Sequence, residues 1–333
     1  MLDEDQIAAA SRTLHDHWRS GTKLARLEQR LRPRNRAEAY AIQRKIETFS
    51  NAKLFGWKIA ATSEAGQKHI NVDGPMAGRI LSETVVADGG IASMAGNEMR
   101  VAEPEFAFRM AADLPPRSQP YSLREVLDAV GTLHPAIEIP DSRFADFVSA
   151  GAEQIISDNA CAHLFVLGAP TVANWRALDL IEEKPVITMR GKQFIGHGKN
   201  VLGDPRIALT WLANELRQLG LTLRAGEVVT TGTCHPPPAA ADSIRRCLRG
   251  RFWFSWKSVG QVRIGEVQTW CRPWQAGSGG STGARKSPNR RAHGWHRTES
   301  RSQSRRSCPS TDPSGRCARR SLRSARNAAP APR

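Results

Sequence analysis

The run Arg100-Val-Ala-Glu103-Pro-Glu105-Phe-Ala-Phe108 constrains this chain more than any other stretch. Val101, Phe106 and Phe108 are β-formers and polar segments bound the run, so it reads as a strand. Successive strand side chains alternate between faces, so Glu103 and Glu105 point the same way. Two carboxylates that close repel each other unless a cation lies between them. A second strand-like run, residues 134–140, carries Glu138 among apolar neighbours. Three acids converging from two strands suit a hard divalent ion such as Mg²⁺ or Mn²⁺. Spacing alone favours the plainer alternative, three solvated acids on an exposed sheet face, because buried unpaired acids are rare.

Charge divides the chain in two. Residues 1–244 hold 27 basic and 29 acidic residues, whereas residues 245–333 hold 21 and 3. A near-neutral body therefore carries a basic tail, and the net charge of +16 describes the tail. Some 240 residues suffice for one sizeable core. Within the body only Cys161 and Cys234 occur, and no CxxC pair exists, so neither a zinc site nor a disulfide framework is indicated. Two scattered thiols fit a reducing cytoplasm. The acidic start, Met1-Leu-Asp-Glu-Asp, lacks a signal pattern, and no apolar run reaches the ~18–20 residues of a membrane span. A cytoplasmic protein without membrane partners is expected.

Along the chain, apolar spacing predicts helices over 3–20 and 36–49, forming a small N-terminal helical unit over 1–50. Phe55-Gly-Trp-Lys58-Ile is a short strand holding one cation, which either meets solvent at a sheet edge or finds an anionic partner. Ser63 is an N-cap candidate, and Ser122-Leu-Arg-Glu125 is a capping-box pattern. Asp141-Ser142-Arg143 follows the Glu138 strand and either orients metal ligands or caps the next turn. Residues 205–219 make the clearest helix, with proline in the first turn and Gly220 as a stop. No phosphate-binding glycine pattern is present. Strands outnumber helices, so the body reads as α+β rather than doubly wound.

These segments resemble, in order over about residues 50–235, the fumarylacetoacetate hydrolase superfamily in its 2-keto-4-pentenoate hydratase and oxalocrotonate decarboxylase branch. The resemblance is carried by Gly56-Trp-Lys58-Ile, Val72-Asp-Gly-Pro with Gly78, Glu103-Pro-Glu105, Glu138-Ile-Pro-Asp141-Ser-Arg143, Asp158-Asn159, Gly196-His-Gly, Val201-Leu-Gly-Asp-Pro and Thr231-Gly232-Thr233. It implies a mixed β-roll of the superfamily's C-terminal type with flanking helices, and a homo-oligomer if the fold is complete. It also implies a metal-dependent lyase of aromatic-compound catabolism that hydrates a 2-hydroxy-2,4-dienoate, a small 2-oxo acid in its keto form. Glu103, Glu105 and Glu138 would hold Mg²⁺ or Mn²⁺. Lys58, its pKa lowered by burial, and Asp158 would be catalytic; Lys58, Ser142, Arg143 and Thr233 would touch substrate. A 4-oxalocrotonate-type decarboxylase or an acylpyruvate hydrolase of the same superfamily are the alternatives. Met76 stands where hydratases often carry an acid, and Ala160-Cys161-Ala162-His163 where they often carry small hydroxyl residues, so the oxo acid stays open.

The resemblance sets the catalytic domain at 51–245 and ends there. Beyond it, composition turns to Arg, Ser, Pro, Gly and Trp, which reads as out-of-frame translation of GC-rich DNA. Two closing strands are then expected to be missing, and 246–333 to be a disordered basic tail. An Arg-rich tail with tryptophans raises a rival function, nucleic-acid binding. It contains no recognisable module, so no specific nucleic-acid partner is expected.

Overall fold

A computed structural model of the chain describes residues 1–50, 52–189, 192–235, 250–256 and 260–268. The expected disorder of the last sixty or so residues lies outside them. One compact unit spans Met1–Pro273, and the second, Trp274–Arg333, also lies outside the described residues.

The helices are α1 (Glu4–Ser20), α2 (Arg36–Arg44), α3 (Ile46–Phe49), α4 (Glu64–His69), α5 (Leu123–Asp128), α6 (Ala152–Ser157) and α7 (Pro205–Gln218). Their ends follow the sequence signals. Asp3 and Gln6 form a reciprocal capping box on α1, and Ser122 and Glu125 do so on α5. Asp204 caps α7 ahead of Pro205, and Leu209, Leu212, Ala213 and Leu216 bury its apolar face.

The strands are β1 (Leu54–Ala60), β2 (Met76–Leu81), β3 (Val85–Val86), β4 (Ile91–Ser93), β5 (Glu103–Met110), β6 (Val130–Ile139), β7 (Leu164–Leu167), β8 (Val186–Met189), β9 (Lys192–Ile195), β10 (Val228–Thr230), β11 (Gly250–Trp256) and β12 (Gly260–Gln268). They form a seven-stranded mixed sheet, β2-β1-β10-β5-β6-β7-β3, and a five-stranded one, β4-β12-β11-β8-β9. This is the expected mixed α+β architecture.

Pleating gives the larger sheet two unlike faces. Trp57, Phe106, Phe108, Ile137 and Val229 join the main core with Ile7 and Leu14 of α1, Ile42 of α2 and the buried leucines of α7. The opposite face carries a smaller apolar cluster, Ile80, Ala107, Ala136, Phe165 and Val228. The register places Lys58 beside Thr230, Thr230 beside Ala107, and Glu138 between Glu103 and Phe165 on that second face.

Three expectations differ from the structure. The strand begins at Glu103, not Arg100, because Arg100 adopts a left-handed φ of 51° and donates its N–H to Asn97 Oδ1 at 2.7 Å. Residues 1–50 are not a separate unit. Tyr40 Oη accepts from Ala77 N at 3.1 Å, and Gln43 Nε2 donates to Ala77 O and Ile156 O at 2.8 Å each. Asn159 pairs with both backbone groups of Arg79, so side chains satisfy these positions on edge strand β2. Finally, two strands, β11 and β12, lie within 246–333, expected from sequence to be a disordered tail. β11 pairs with β8 and β12, and β12 runs parallel to β4. The aromatic run 252–256 and the Val262/Ile264 alternation are β-formers whose short period is hidden by the arginine-rich composition of a longer window.

Candidate metal centre

β5 and β6 are antiparallel neighbours in a register that sets Glu103 opposite Glu138 and Glu105 opposite Ala136. Cross-strand partners share a face, and so do residues two apart, so the three acids converge. One carboxylate oxygen from each lies within 4.8 Å of the others. Glu105 and Glu138 are buried, while Glu103, at the strand's start, is half-buried. The solvated alternative for the acids therefore fails.

Such a cluster is costly without a counter-charge. Burial first, then Glu138 and Glu105, raises the Glu103 carboxyl well above its usual range. Burial and Glu138 push Glu105 up to about 8 against hydrogen bonds from Thr230 and Gly232. Glu138 is raised too, by burial, despite Lys58. Glu105 Oε1 and both Glu138 oxygens are buried with no hydrogen-bond donor. Buried oxygens left this way are rare in folded proteins. Hard oxygen donors with lone pairs to spare are the ligand set a divalent cation of the Mg²⁺ or Ca²⁺ type takes. The residues present fit such an ion.

Glu105 is held from the neighbouring strand. Its Oε2 accepts from Thr230 Oγ1 and, at 2.8 Å, from Gly232 N. Gly232 has a φ of 96°, and a Cβ there would lie 2.0 Å from Thr62 Oγ1, so only glycine fits this turn. Thr230 was not singled out from sequence, although the Thr-Gly-Thr turn beside it was visible.

Lys58 is buried, not at a solvent edge, on β1 next to β10. Its Nζ lies 3.1 Å from Glu138 Oε2, in an ion pair not aligned as a hydrogen bond, and donates to Ala160 O at 2.9 Å. Burial pulls its pKa down, but Glu138, Glu103, Cys161 and Glu105 together outweigh it and the net shift is upward. This reverses the lowered pKa expected from sequence: burial among carboxylates favours the ammonium.

Asp158, Ser142 and Arg143 form a second cluster. Arg143 Nε pairs with Asp158 Oδ1; Ser142 Oγ (2.7 Å) and Arg143 N (3.0 Å) donate to Oδ2. Arg143 also donates to the carbonyls of Asp141, Asp158 and Ala162. The three side chains are thus engaged with one another and with backbone. Thr233 is half-buried next to Gly232, and its Oγ1 accepts from His235 N at 3.2 Å.

An acid triad on one face of a mixed sheet, with a buried lysine beside it, puts the chain in a broad class: proteins with a carboxylate cluster able to hold a divalent ion. Known proteins narrow the class. The chain is 31% identical over 240 residues to the 2-keto-4-pentenoate hydratase of Burkholderia vietnamiensis, covering 71% of this chain and 90% of that one. It is 30% identical over 258 residues to the 2-hydroxyhexa-2,4-dienoate hydratase of Comamonas testosteroni, covering 75% and 96%. Its fold is similar to that of 4-oxalocrotonate decarboxylase from Pseudomonas putida G7, complexed with magnesium and adipate, at a TM-score of 0.68 and 22% identity over 81% of this chain and 99% of that one. No protein-family model matches. The chain belongs to the family of the 2-keto-4-pentenoate hydratases. Among the described residues no helix is long and apolar enough to cross a membrane.

Proposed function

We propose that this chain hydrates a 2-hydroxy-2,4-dienoate of the 2-keto-4-pentenoate type to a 4-hydroxy-2-oxo acid, using a divalent ion held by Glu103, Glu105 and Glu138. The observation that carries this reading is the convergence of Glu103, Glu105 and Glu138 within 4.8 Å of one another, with Glu105 Oε1 and Glu138 Oε1 buried and without a hydrogen-bond donor. Glu103, Glu105 and Glu138 would hold the ion, Mg²⁺ or Mn²⁺, which would supply a Lewis acid for negative charge on the substrate's C2 oxygen.

Lys58 is the group that meets the substrate from the protein side. As an ammonium beside Glu138 it binds the substrate carboxylate or delivers a proton from Nζ during ketonisation. Asp158 acts through Arg143 and Ser142, fixing the loop after β6 and so the direction of Glu138. Thr233 lines the substrate side of the Gly232 turn. The enzyme works in the cytoplasm as a homo-oligomer.

Purified protein freed of metal, then supplied with Mg²⁺ or Mn²⁺ and 2-hydroxypenta-2,4-dienoate, tests the reading by loss of diene absorbance. Metal-dependent loss with a 4-hydroxy-2-oxo product supports it. Release of CO₂ from 4-oxalocrotonate without hydration of the dienoate would replace it with the decarboxylase, and inactivity on both with any metal would overturn it.

A further inference from the structure

Immediately after α6 the backbone does something unusual. Asn159, Ala160 and Cys161 all have positive φ, at 54°, 49° and 62°. Left-handed backbone costs a residue with a Cβ about 1–2 kcal/mol, and it is normally visited singly and by glycine. Three in succession persist only where the surroundings impose them, and such strain concentrates at functional sites.

The surroundings here are specific. Arg143 holds the Asp158 and Ala162 carbonyls on either side of the turn. Asp141 N donates to Cys161 O at 2.9 Å. Asn159 clasps β2 from the side: its Oδ1 accepts from Arg79 N at 2.6 Å and its Nδ2 donates to Arg79 O at 2.9 Å. The turn's central carbonyl, Ala160 O, receives the Lys58 ammonium at 2.9 Å. Gly78, on β2 between the residues Asn159 and Gln43 engage, keeps the passage open. A Cβ there would lie 2.5 Å from Asn159 O and 3.0 Å from Lys58 Cγ and Cδ.

We infer that the left-handed turn 159–161, clasped to β2 by Asn159, is a positioning device that fixes Lys58 Nζ against Glu138 through the Ala160 carbonyl. It rests on the role given to Lys58 above. An ammonium on four methylenes has many rotamers, and a carbonyl anchored in a rigid turn selects one of them. A relaxed right-handed turn would swing that carbonyl away. Asn159 touches no reacting atom; it acts through Lys58.

Asn159→Gly tests this, because glycine accepts the positive φ and removes only the clasp. Two readouts are needed on the full chain with Mg²⁺. The first is labelling of Lys58 by a small amine-reactive reagent, read by peptide mass spectrometry. Labelling should rise at least about tenfold in N159G, with little change in thermal midpoint. The second is kinetics. In N159G kcat should fall about 10- to 100-fold with KM within about threefold, and Asn159→Asp, which keeps the acceptor for Arg79 N, should recover part of the loss. In a Lys58→Ala background N159G should add nothing, because the two act as one unit. Unchanged labelling in both N159G and N159D overturns the positioning role, as does an additive loss in the double variant. Should K58A turn over at the parent rate while N159G still exposes Lys58, the clasp stands and the catalytic role of Lys58 falls. If N159G does not fold, N159D carries both readouts.

Discussion

The two faces of the larger sheet are built from the same strands and obey opposite rules. On β5, Phe106 and Phe108 enter the main core while Glu103 and Glu105, on the opposite face, meet Glu138. The first face gains from excluding water; the second buries carboxyl oxygens, Glu105 Oε1 among them, that find no hydrogen-bond donor. One side of a single strand joins the main apolar core, and the other carries the acids next to a smaller apolar cluster.

Substitutions on β5 should separate these faces. The largest effect belongs to the apolar one. Phe108→Ala removes a fully buried ring and should cost about 3–5 kcal/mol, read as a drop in the urea midpoint. Glu105→Gln should do the reverse. Activity should fall about 10²–10³-fold, the range for losing one group that organises developing charge, while the metal-free protein at pH 8 is no less stable than the parent. A destabilised E105Q would mean the acid is structural.

The pH dependence sharpens the contrast. Glu105 is raised from 4.5 to about 8, so the folded, metal-free protein holds this proton more tightly than the unfolded chain. Its contribution to stability is full below about 4.5 and is lost as pH rises through about 8. In EDTA the parent should therefore lose stability relative to E105Q between pH 5 and 8. Excess Mg²⁺ should abolish that difference or invert it, since the ion binds the ionised acids. Thermal melts of both proteins across this range would show it. Smaller again, Thr230→Val removes the hydroxyl on Glu105 and should weaken metal affinity about 10- to 100-fold, measured by calorimetry.

Sequence reading reached what is local and periodic. The caps at Ser63 and Ser122 and the proline in the first turn of α7 mark helices that hardly move between reading and structure. Glu103 and Glu105 were legible because a period of two fixes their common face, and Glu138 because an acid among apolar residues needs a reason. What escaped depends on long-range partners. Nothing near Asn159 announces a left-handed turn, since the sequence there is Asn-Ala-Cys rather than glycine. Arg143 and Asp158 were each noticed, but their bond to one another spans fifteen positions. Sequence leaves Lys58 between a solvent edge and an anionic partner, and the direction of its shift depends on how many carboxylates surround it. Residues 1–50 looked separable because periodicity within α1 and α2 says nothing about Ala77 or Ile156.

That last point bears on how the gene can be cut. Tyr40 and Gln43 serve β2 in place of a neighbouring strand, so the front of the polypeptide is a selvedge woven onto the cloth that holds the acid triad. A shortened gene beginning at codon 51 would leave that margin raw, and its product should recruit other copies of itself along β2 before it ever meets substrate.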